Sequence, residues 1–257
     1  MLNDPKIAKT LVNGLNVLQA FKAGDPALSN KELAERTGLS KATISRLTYT
    51  LLHKGLLIYE KDSRQYRLGP GTVSLGTPLL VSVPLRQIAR PFMQNLSEST
   101  GGSVSLGMFN LHTMVYLETA RGHKHHLFKP DLGARLPILS TAMGRAWLAS
   151  NSTEQRNKIL QELASRYPEE YTNFLTQWGD VLSTYQRDGF TYAQGDWIGD
   201  VCAVATNWPE TINGKHLIFN CGIPSSLLSR NNIKDYGPKL LSMIQEVHAA
   251  MKAEAKK

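Results

Sequence analysis

The sequence predicts an α+β protein: an N-terminal winged helix-turn-helix, then a larger α/β unit built as an antiparallel sheet with flanking helices. Two observations predict it. Residues 28–68 carry two capped helical runs joined at a glycine corner and followed by a hairpin pattern. Downstream, strand-like runs separated by tight turns alternate with helical runs, without regular strand–helix–strand units. At 257 residues with 42% hydrophobic content the chain is long enough for two cores.

Residues 7–21 form the first helix, with Leu11, Leu15, Leu18 and Phe21 along one expected buried side. Lys9 and Thr10 stand at its start, where a helix N-terminus attracts anions. They are candidate phosphate contacts, with ordinary solvated residues as the alternative. Gly24-Asp25-Pro26 ends the helix. Ser29 and Glu32 make a capping box for a helix over 30–37, and Gly38-Leu39-Ser40 supplies the corner. Ser40 caps a longer helix over 41–54, stopped by Gly55. Ile44, Leu47, Leu51 and Leu52 form its inward stripe. Its other face shows Lys41, Thr43, Ser45, Arg46, Tyr49 and His53, side chains that bond phosphates and base edges. Residues 56–59 and 65–68 read as the wing, around a polar turn at 60–64. A helical subdomain with a merely solvated face is the competing reading. The succession of caps, glycine stops and hairpin within forty residues favours the winged helix.

Gly69-Pro70-Gly71 is read as the exit of this domain, so 1–70 is the DNA-binding domain, 71–84 a partly helical linker and 85–257 the second domain. A helix over 85–100 presents Leu85, Ile88, Ala89, Phe92 and Leu96, a stripe suited to a dimer contact or to its own core. Strands are expected at 104–109 and 114–118 around Asn110-Leu111-His112, then at 127–129 and 136–139. Ser140 is expected to cap a helix over 141–149, and Ser152 with Gln155 one over 153–163. A third covers 168–187. Strands at 190–193, 201–206 and 216–221 follow, the last two joined through Asn213-Gly214. A final helix covers 231–253, with Pro238 predicting a kink or a late start.

The net charge is +8 and the sequence pI about 9.4, which suits a polyanionic partner. Residues 1–83 hold eleven Lys and Arg against six Asp and Glu, so the excess is densest where the helix-turn-helix sits. No signal-peptide pattern opens the sequence and Cys202 and Cys221 are its only cysteines, so a reducing cytoplasm is expected. The apolar stretch at 78–85 is too short for a bilayer and holds two prolines, so no membrane partner is expected. There is no P-loop, dinucleotide fingerprint or H-E-x-x-H, and no cofactor is expected. The two cysteines could act as nucleophile or metal ligand, but neither has a local base, and a buried thiol is the simpler reading. His123, His125 and His126 could bind zinc. Lys124 between them and the lack of a nearby acid or cysteine favour a solvated basic loop.

Three blocks of residues resemble one family. They are Leu39-Ser40-Lys41-Ala42-Thr43-Ile44-Ser45-Arg46-Leu47, Tyr66-Arg67-Leu68-Gly69 and Ser140-Thr141-Ala142-Met143-Gly144-Arg145-Ala146. Together they resemble the IclR family of bacterial transcriptional regulators, over residues 10–252. The resemblance implies a winged helix, a connecting helix and a GAF-like effector-binding domain. It also implies a homodimer or dimer of dimers on a palindromic double-stranded DNA operator, with a small organic acid, often aromatic, as effector. Carried onto this chain, the effector pocket takes Ala142, Met143 and Gly144 from the helix, Asp196 after the Gly-Phe strand, and Cys202 on the next strand. Two small polar positions near Gly222 are assigned to Phe219 and Cys221. Their apolar surface implies an effector larger than a two- or three-carbon acid.

The DNA-binding set is then Thr43, Ser45 and Arg46 toward the major groove, with Ser40, Lys41, Tyr49 and Arg64 on phosphates beside Lys9 and Thr10. Two outputs stay open, release of DNA or recruitment of RNA polymerase. Two other classes compete: an enzyme carrying a nucleic-acid-binding arm, which would turn its small molecule over, and an architectural protein, which would not discriminate operator from bulk DNA.

Overall fold

The computed structural model describes residues 4–22, 24–122, 131–228 and 232–254. The chain divides into two compact units, Met1–Ser82 and Val83–Lys257. The first holds α1 (Lys9–Gln19), α2 (Asn30–Thr37), α3 (Lys41–His53), β1 (Leu57–Glu60), β2 (Gln65–Leu68) and α4 (Gly71–Val81).

The capping chemistry sets these boundaries. Ser29 Oγ accepts the Glu32 amide at 3.3 Å while Glu32 accepts the Ser29 amide at 2.8 Å, a complete capping box. Gly38 ends α2 at φ +70°, where a side chain would strain the backbone, and Ser40 Oγ then accepts the Thr43 amide at 3.3 Å. Ile44, Leu47 and Leu51 of α3 pack with Leu33 and Val17 into one small core. The wing is antiparallel, with Glu60 opposite Gln65. It is fastened to the helices at Leu28, which exchanges two backbone bonds with Tyr66 at 2.9 and 2.8 Å.

One reading of this unit is corrected. The helix read over 7–21 begins at Lys9 and ends at Gln19, and its buried residue is Val17. Leu11 and Leu15 are 63% and 45% exposed, so the regular leucine spacing marked an apolar face that this unit leaves open. Gly69-Pro70-Gly71 is tied down by backbone bonds. The Gly69 amide bonds the Leu56 carbonyl at 2.8 Å and the Gly71 amide the Gly55 carbonyl at 3.1 Å, so the segment folds back on the end of α3. The linker expected at 71–84 to be partly helical holds α4 over Gly71–Val81, and this helix is grouped with the first unit. It has no charged residue and none buried.

The second unit holds α5 (Leu85–Thr100), β3 (Ser103–Asn110), β4 (Thr113–Arg121), β5 (Arg135–Pro137), α6 (Ala142–Ser150), α7 (Thr153–Arg166), α8 (Pro168–Asp188), β6 (Thr191–Gln194), β7 (Val201–Ile212), β8 (Lys215–Pro224) and α9 (Gly237–Glu254). Its six strands run antiparallel in the order β5-β4-β3-β8-β7-β6. Helices α5 and α9 cover one face; α6 crosses β6, β7 and β8 on the other, with α8 beside it. The predicted architecture, an α+β chain with helices on an antiparallel sheet, is the observed one.

Local differences have local causes. Thr141, not Ser140, caps α6. The buried line of α5 is Leu85, Ala89, Met93 and Ser97, one position round from the predicted stripe, leaving Ile88, Phe92 and Leu96 half-buried. Helix α9 starts late, at Gly237 with Pro238 in its first turn, where proline's missing N–H costs nothing. The strand read at 127–129, the histidines at 123, 125 and 126, and Asn231 lie outside the described residues.

One irregularity has consequences for both sheet faces. In the β3–β4 pair, Leu106 faces Glu118 but the next residue, Gly107, faces Tyr116, so Leu117 is bulged out. The bulge switches the alternation of β4. Tyr116 points toward α6, whereas Glu118 points toward α5, where Arg86 holds it at 2.5 Å and Arg90 bonds its other oxygen. A buried carboxylate is thus matched by two guanidinium groups from a single helix.

Candidate functional site

Two separate surfaces carry chemistry, one in each unit. In the first unit, the outward face of α3 shows Lys41, Ser45, Arg46 and Tyr49 exposed, with Thr43 half-exposed. Thr10 and Asn13 of α1 join Thr43, Ser45, Arg46, Tyr49 and Thr50 around one open groove. Tyr49 is 64% exposed, its ring 4.2 Å from that of His53.

Some cations of the unit are paired and others are not. Arg36 is paired with Asp25 at 2.5 Å, Arg67 with Glu60, and Lys31 with Glu35 at 3.9 Å. Among the described residues Lys9, Lys41, Arg46 and Arg64 make no ion pair, and all four are exposed. Unneutralised cations on a face holding hydroxyls and a tyrosine suit a phosphate backbone, because binding releases the counterions condensed on it. Arg64 sits at the wing tip at φ +53°. The structure therefore brings Thr10, Thr43, Ser45, Arg46 and Tyr49 to one groove; Ser40 and Lys41 stand at the start of α3, and Lys9 at the start of α1.

In the second unit a small cavity of about 30 Å³ opens between α6 and the sheet. Ser140, Thr141 and Ala142 form its helix wall; Tyr116, Ala193, Ala203, Asn220 and Gly222 form its sheet wall; Asp196, Trp197 and Ile198 close one side. The cavity as it stands admits a water-sized guest.

The N-terminus of α6 is built for close approach. Thr141 Oγ1 accepts the Gly144 amide at 3.1 Å and donates to the Pro137 carbonyl at 2.6 Å. A Cβ on Gly144 would overlap the Ile138 carbonyl, so only glycine lets the helix seat against the 137–139 segment. The first amides of any helix lack intrahelical partners, and those of Ala142 and Met143 start this one beside the cavity.

Arg145 stands behind the cavity, buried, and its guanidinium donates to the Leu139 carbonyl at 2.9 Å and the Tyr192 carbonyl at 3.1 Å. It also meets Asp196 at 3.1 Å. Burial pulls its pKa below the ordinary arginine value, against the Asp196 charge. Gln177 and the Gln194 amide also donate to Asp196 at 3.1 and 3.3 Å, so that carboxylate is held in place and its charge matched.

Of the predicted pocket residues, Ala142 and Asp196 line the cavity; the others do not, for reasons of strand register in Cys202, Phe219 and Cys221 and of helix packing in Met143 and Gly144. Phe219 and Cys221 alternate with Asn220 and Gly222 on β8 and face the α5 and α9 side. Phe219 lies 6.2 Å from the Trp208 ring and Cys221 3.9 Å from Thr100. A one-residue offset in the assignment moved the pair to the opposite face. Cys202 is likewise one position off Ala203. Met143 is buried against the bare backbone of Gly107, and Gly144 serves the packing just described. The apolar lining inferred from Phe219 and Cys221 comes instead from Leu136, Ala193, Val201, Ala203, Trp197 and Ile198. Burial pushes the Cys221 thiol up to about 12 and also raises Cys202, so neither is an activated nucleophile. Among the described residues no group of His, Cys, Asp and Glu could hold a metal ion.

A family model described as the IclR helix-turn-helix domain matches residues 10–60, and one described as the bacterial transcriptional regulator IclR C-terminal matches residues 77–214. The crystal structure of an IclR family transcriptional regulator from Brucella abortus is 32% identical, with a TM-score of 0.78. The match covers 97% of this chain and 95% of that one. The chain belongs to the IclR family. It is a DNA-binding transcriptional regulator, and its relatives are regulators rather than enzymes. The HTH-type transcriptional regulator TsaQ1/TsaQ2 of Comamonas testosteroni is 29% identical over 250 residues, 96% of this chain and 90% of its own length. An IclR homolog from Microbacterium hydrocarbonoxydans, complexed with 4-hydroxybenzoate, shares the fold at a TM-score of 0.75 and 18% identity, over 95% of this chain and 99% of that one.

Most cavity residues of this IclR-family chain escaped the sequence reading, Tyr116, Asn220 and Gly222 among them. Tyr116 lies beside a bulge that no periodicity reveals. Asn220 and Gly222 needed only the other parity of β8. Arg145, quoted within the motif but assigned no role, is what fixes Asp196.

Proposed function

We propose that this regulator binds a palindromic operator as a homodimer or dimer of dimers in the cytoplasm, and that a small aromatic carboxylic acid in the α6 cavity modulates operator binding or transcription. The observation carrying this reading is the cavity's division of labour. An N-terminal helix end faces an apolar slot, and the one carboxylate in its wall, Asp196, is already matched by Arg145. A helix N-terminus stabilises a carboxylate without adding a buried cation, and the lining of the slot is apolar, though seating a ring there requires the cavity to widen. The 4-hydroxybenzoate held by the Microbacterium homolog is a ligand of this class.

Dimerisation is supported by the apolar faces that the first unit leaves open. Leu11 and Leu15 on α1, and Val73, Leu75, Leu79 and Val81 on α4, are all exposed. A second copy covering them would fix the spacing of two α3 helices, and with it the half-site separation. Among the described residues no helix is long and apolar enough to cross a membrane. Release of DNA and recruitment of RNA polymerase remain the two outputs that ligand occupancy could drive.

The test is thermal unfolding of the whole protein with a panel of benzoates, beside operator titration with each acid. A true effector raises the melting temperature by mass action and shifts operator affinity or transcription while being recovered unchanged. Acids that leave both melting and DNA binding unmoved refute the carboxylate reading. Turnover of the acid would favour an enzyme.

A further inference from the structure

The turn of the wing is tied to the helices by side chains outside the DNA-facing set. Glu60 ends β1 and faces Gln65 across the turn at 61–64. One of its carboxylate oxygens accepts the Ser63 hydroxyl at 3.1 Å, from within the turn, and the other accepts Arg67 Nε–H, from β2. The same guanidinium donates through Nη1 to the Pro26 carbonyl at 2.7 Å, 41 residues away along the chain. Tyr66, the residue before Arg67, exchanges its backbone bonds with Leu28. Strand β2 is therefore fastened to the segment at 26–28 both by its backbone and by a side chain, and that side chain carries the fastening on into the turn.

What the turn carries is Arg64. It sits at φ +53°, a left-handed conformation that a residue other than glycine keeps only where its surroundings impose it. Ser63, immediately before it, is held by Glu60, and Glu60 by Arg67. The two arginines differ in kind. Arg64 is exposed and makes no ion pair among the described residues, so its charge faces solvent. Arg67 is matched by Glu60 and bonded to Pro26, so its charge is engaged within the fold. Arg67 also holds the Glu60 carboxyl below the usual carboxylate range, which keeps the pair charged at neutral pH. A solvent-exposed ion pair stabilises a fold little. Its position sets this one apart: it spans the turn, the strand and the loop before α2.

We propose that Glu60 and Arg67 are positioning residues for DNA binding: their pair locks the wing turn to the segment at 26–28 and thereby fixes Arg64 where it meets a phosphate. This rests on the reading of Arg64 as a phosphate contact. Neither Glu60 nor Arg67 touches DNA in this scheme. An arginine on a fixed turn has less freedom to lose on binding than one on a loose turn, so breaking the lock lowers affinity through Arg64. The sign of the effect separates a lock from a simple field. By field alone, removing an acid near DNA tightens binding and removing a base weakens it. A lock weakens binding in both cases.

The test titrates the full chain against a labelled mixed-sequence DNA duplex, by fluorescence anisotropy at several salt concentrations. Arg64→Ala should weaken binding by roughly fivefold and reduce the salt slope by about 1 per chain bound. Glu60→Ala and Arg67→Met should each weaken binding severalfold too, although they change the net charge in opposite directions. Added to Arg64→Ala, Glu60→Ala should cause no further loss. Circular dichroism melts identify any variant that does not fold, and either single variant can be read without the other. Tighter binding by a folded Glu60→Ala, or a further loss when it is added to Arg64→Ala, overturns the lock and leaves Arg64 as a phosphate contact. Unchanged affinity and salt slope in Arg64→Ala overturn both.

Discussion

Replacing Arg145 with methionine tests how the effector cavity is held. Methionine keeps an unbranched apolar stem in the same channel and deletes only the guanidinium. The substitution removes the donor to the Leu139 carbonyl, in a residue 2% exposed, and unpairing such an acceptor costs about 1–3 kcal/mol. The Tyr192 carbonyl is part-buried and adds about 1 kcal/mol. The ion pair with Asp196 adds at most about 1 kcal/mol, because that carboxylate is partly solvated and keeps its bonds from Gln177 and the Gln194 amide. The expected loss is about 3 kcal/mol, which for a unit of this size lowers the melting temperature by about 6–12 °C. Tryptophan fluorescence is the right probe. All four tryptophans, Trp147, Trp178, Trp197 and Trp208, lie in the second unit, so the signal follows that unit alone. Benzoate affinity should fall as well, since Asp196 loses its anchor at the cavity wall. A melting temperature within about 2 °C of the wild type, with unchanged benzoate binding, would show that Arg145 does not organise this site.

Two further outcomes follow from titrating groups. The Arg36 guanidinium holds the Asp25 carboxyl below the usual carboxylate range, with help from the Lys22 amide, and the Ser29 amide does the same for Glu32. Groups depressed in the folded state contribute stability that is complete above the ordinary range near pH ~4 and is lost as pH falls through it. The melting advantage of the wild type over Asp25→Asn, followed by circular dichroism, should therefore be present at pH 7 and disappear toward pH 2–3; an advantage independent of pH contradicts the assignment. Cys221, pushed up to about 12 and 1% exposed, should resist iodoacetamide at pH 8.5 in the native protein and react on unfolding. Rapid native labelling at Cys221, located by peptide mapping, would place that thiol outside the core.

The parts legible in the sequence were those fixed by short-range chemistry. Ser29 with Glu32, Gly38, Ser40 and Asn213-Gly214 each set a boundary within a few residues, and the structure keeps those boundaries. What the sequence hid was decided at longer range. The pattern of α1 could not show whether Leu11 and Leu15 meet their own domain or another surface. The strand β8, buried on both faces, carries no polar alternation to reveal that Asn220 rather than Phe219 faces α6. The bulge at Leu117 turns Tyr116 and Glu118 to opposite faces, a parity change that only the pairing register discloses. Arg145 looked like an ordinary helix cation, and its role depends on Leu139, Tyr192 and Asp196, which other elements bring to it.

The central claim is that the wet face of α3 reads DNA. The most direct measurement titrates wild type, Arg46→Ala and Arg46→Lys against an operator and its single-base-pair variants, by fluorescence anisotropy at several salt concentrations. If Arg46 reaches a guanine edge, Arg46→Ala loses about 1–3 kcal/mol on the operator and stops discriminating at one base pair per half-site. Undiminished affinity and discrimination in Arg46→Ala would contradict that, and a uniform loss across every sequence would reduce Arg46 to a phosphate contact.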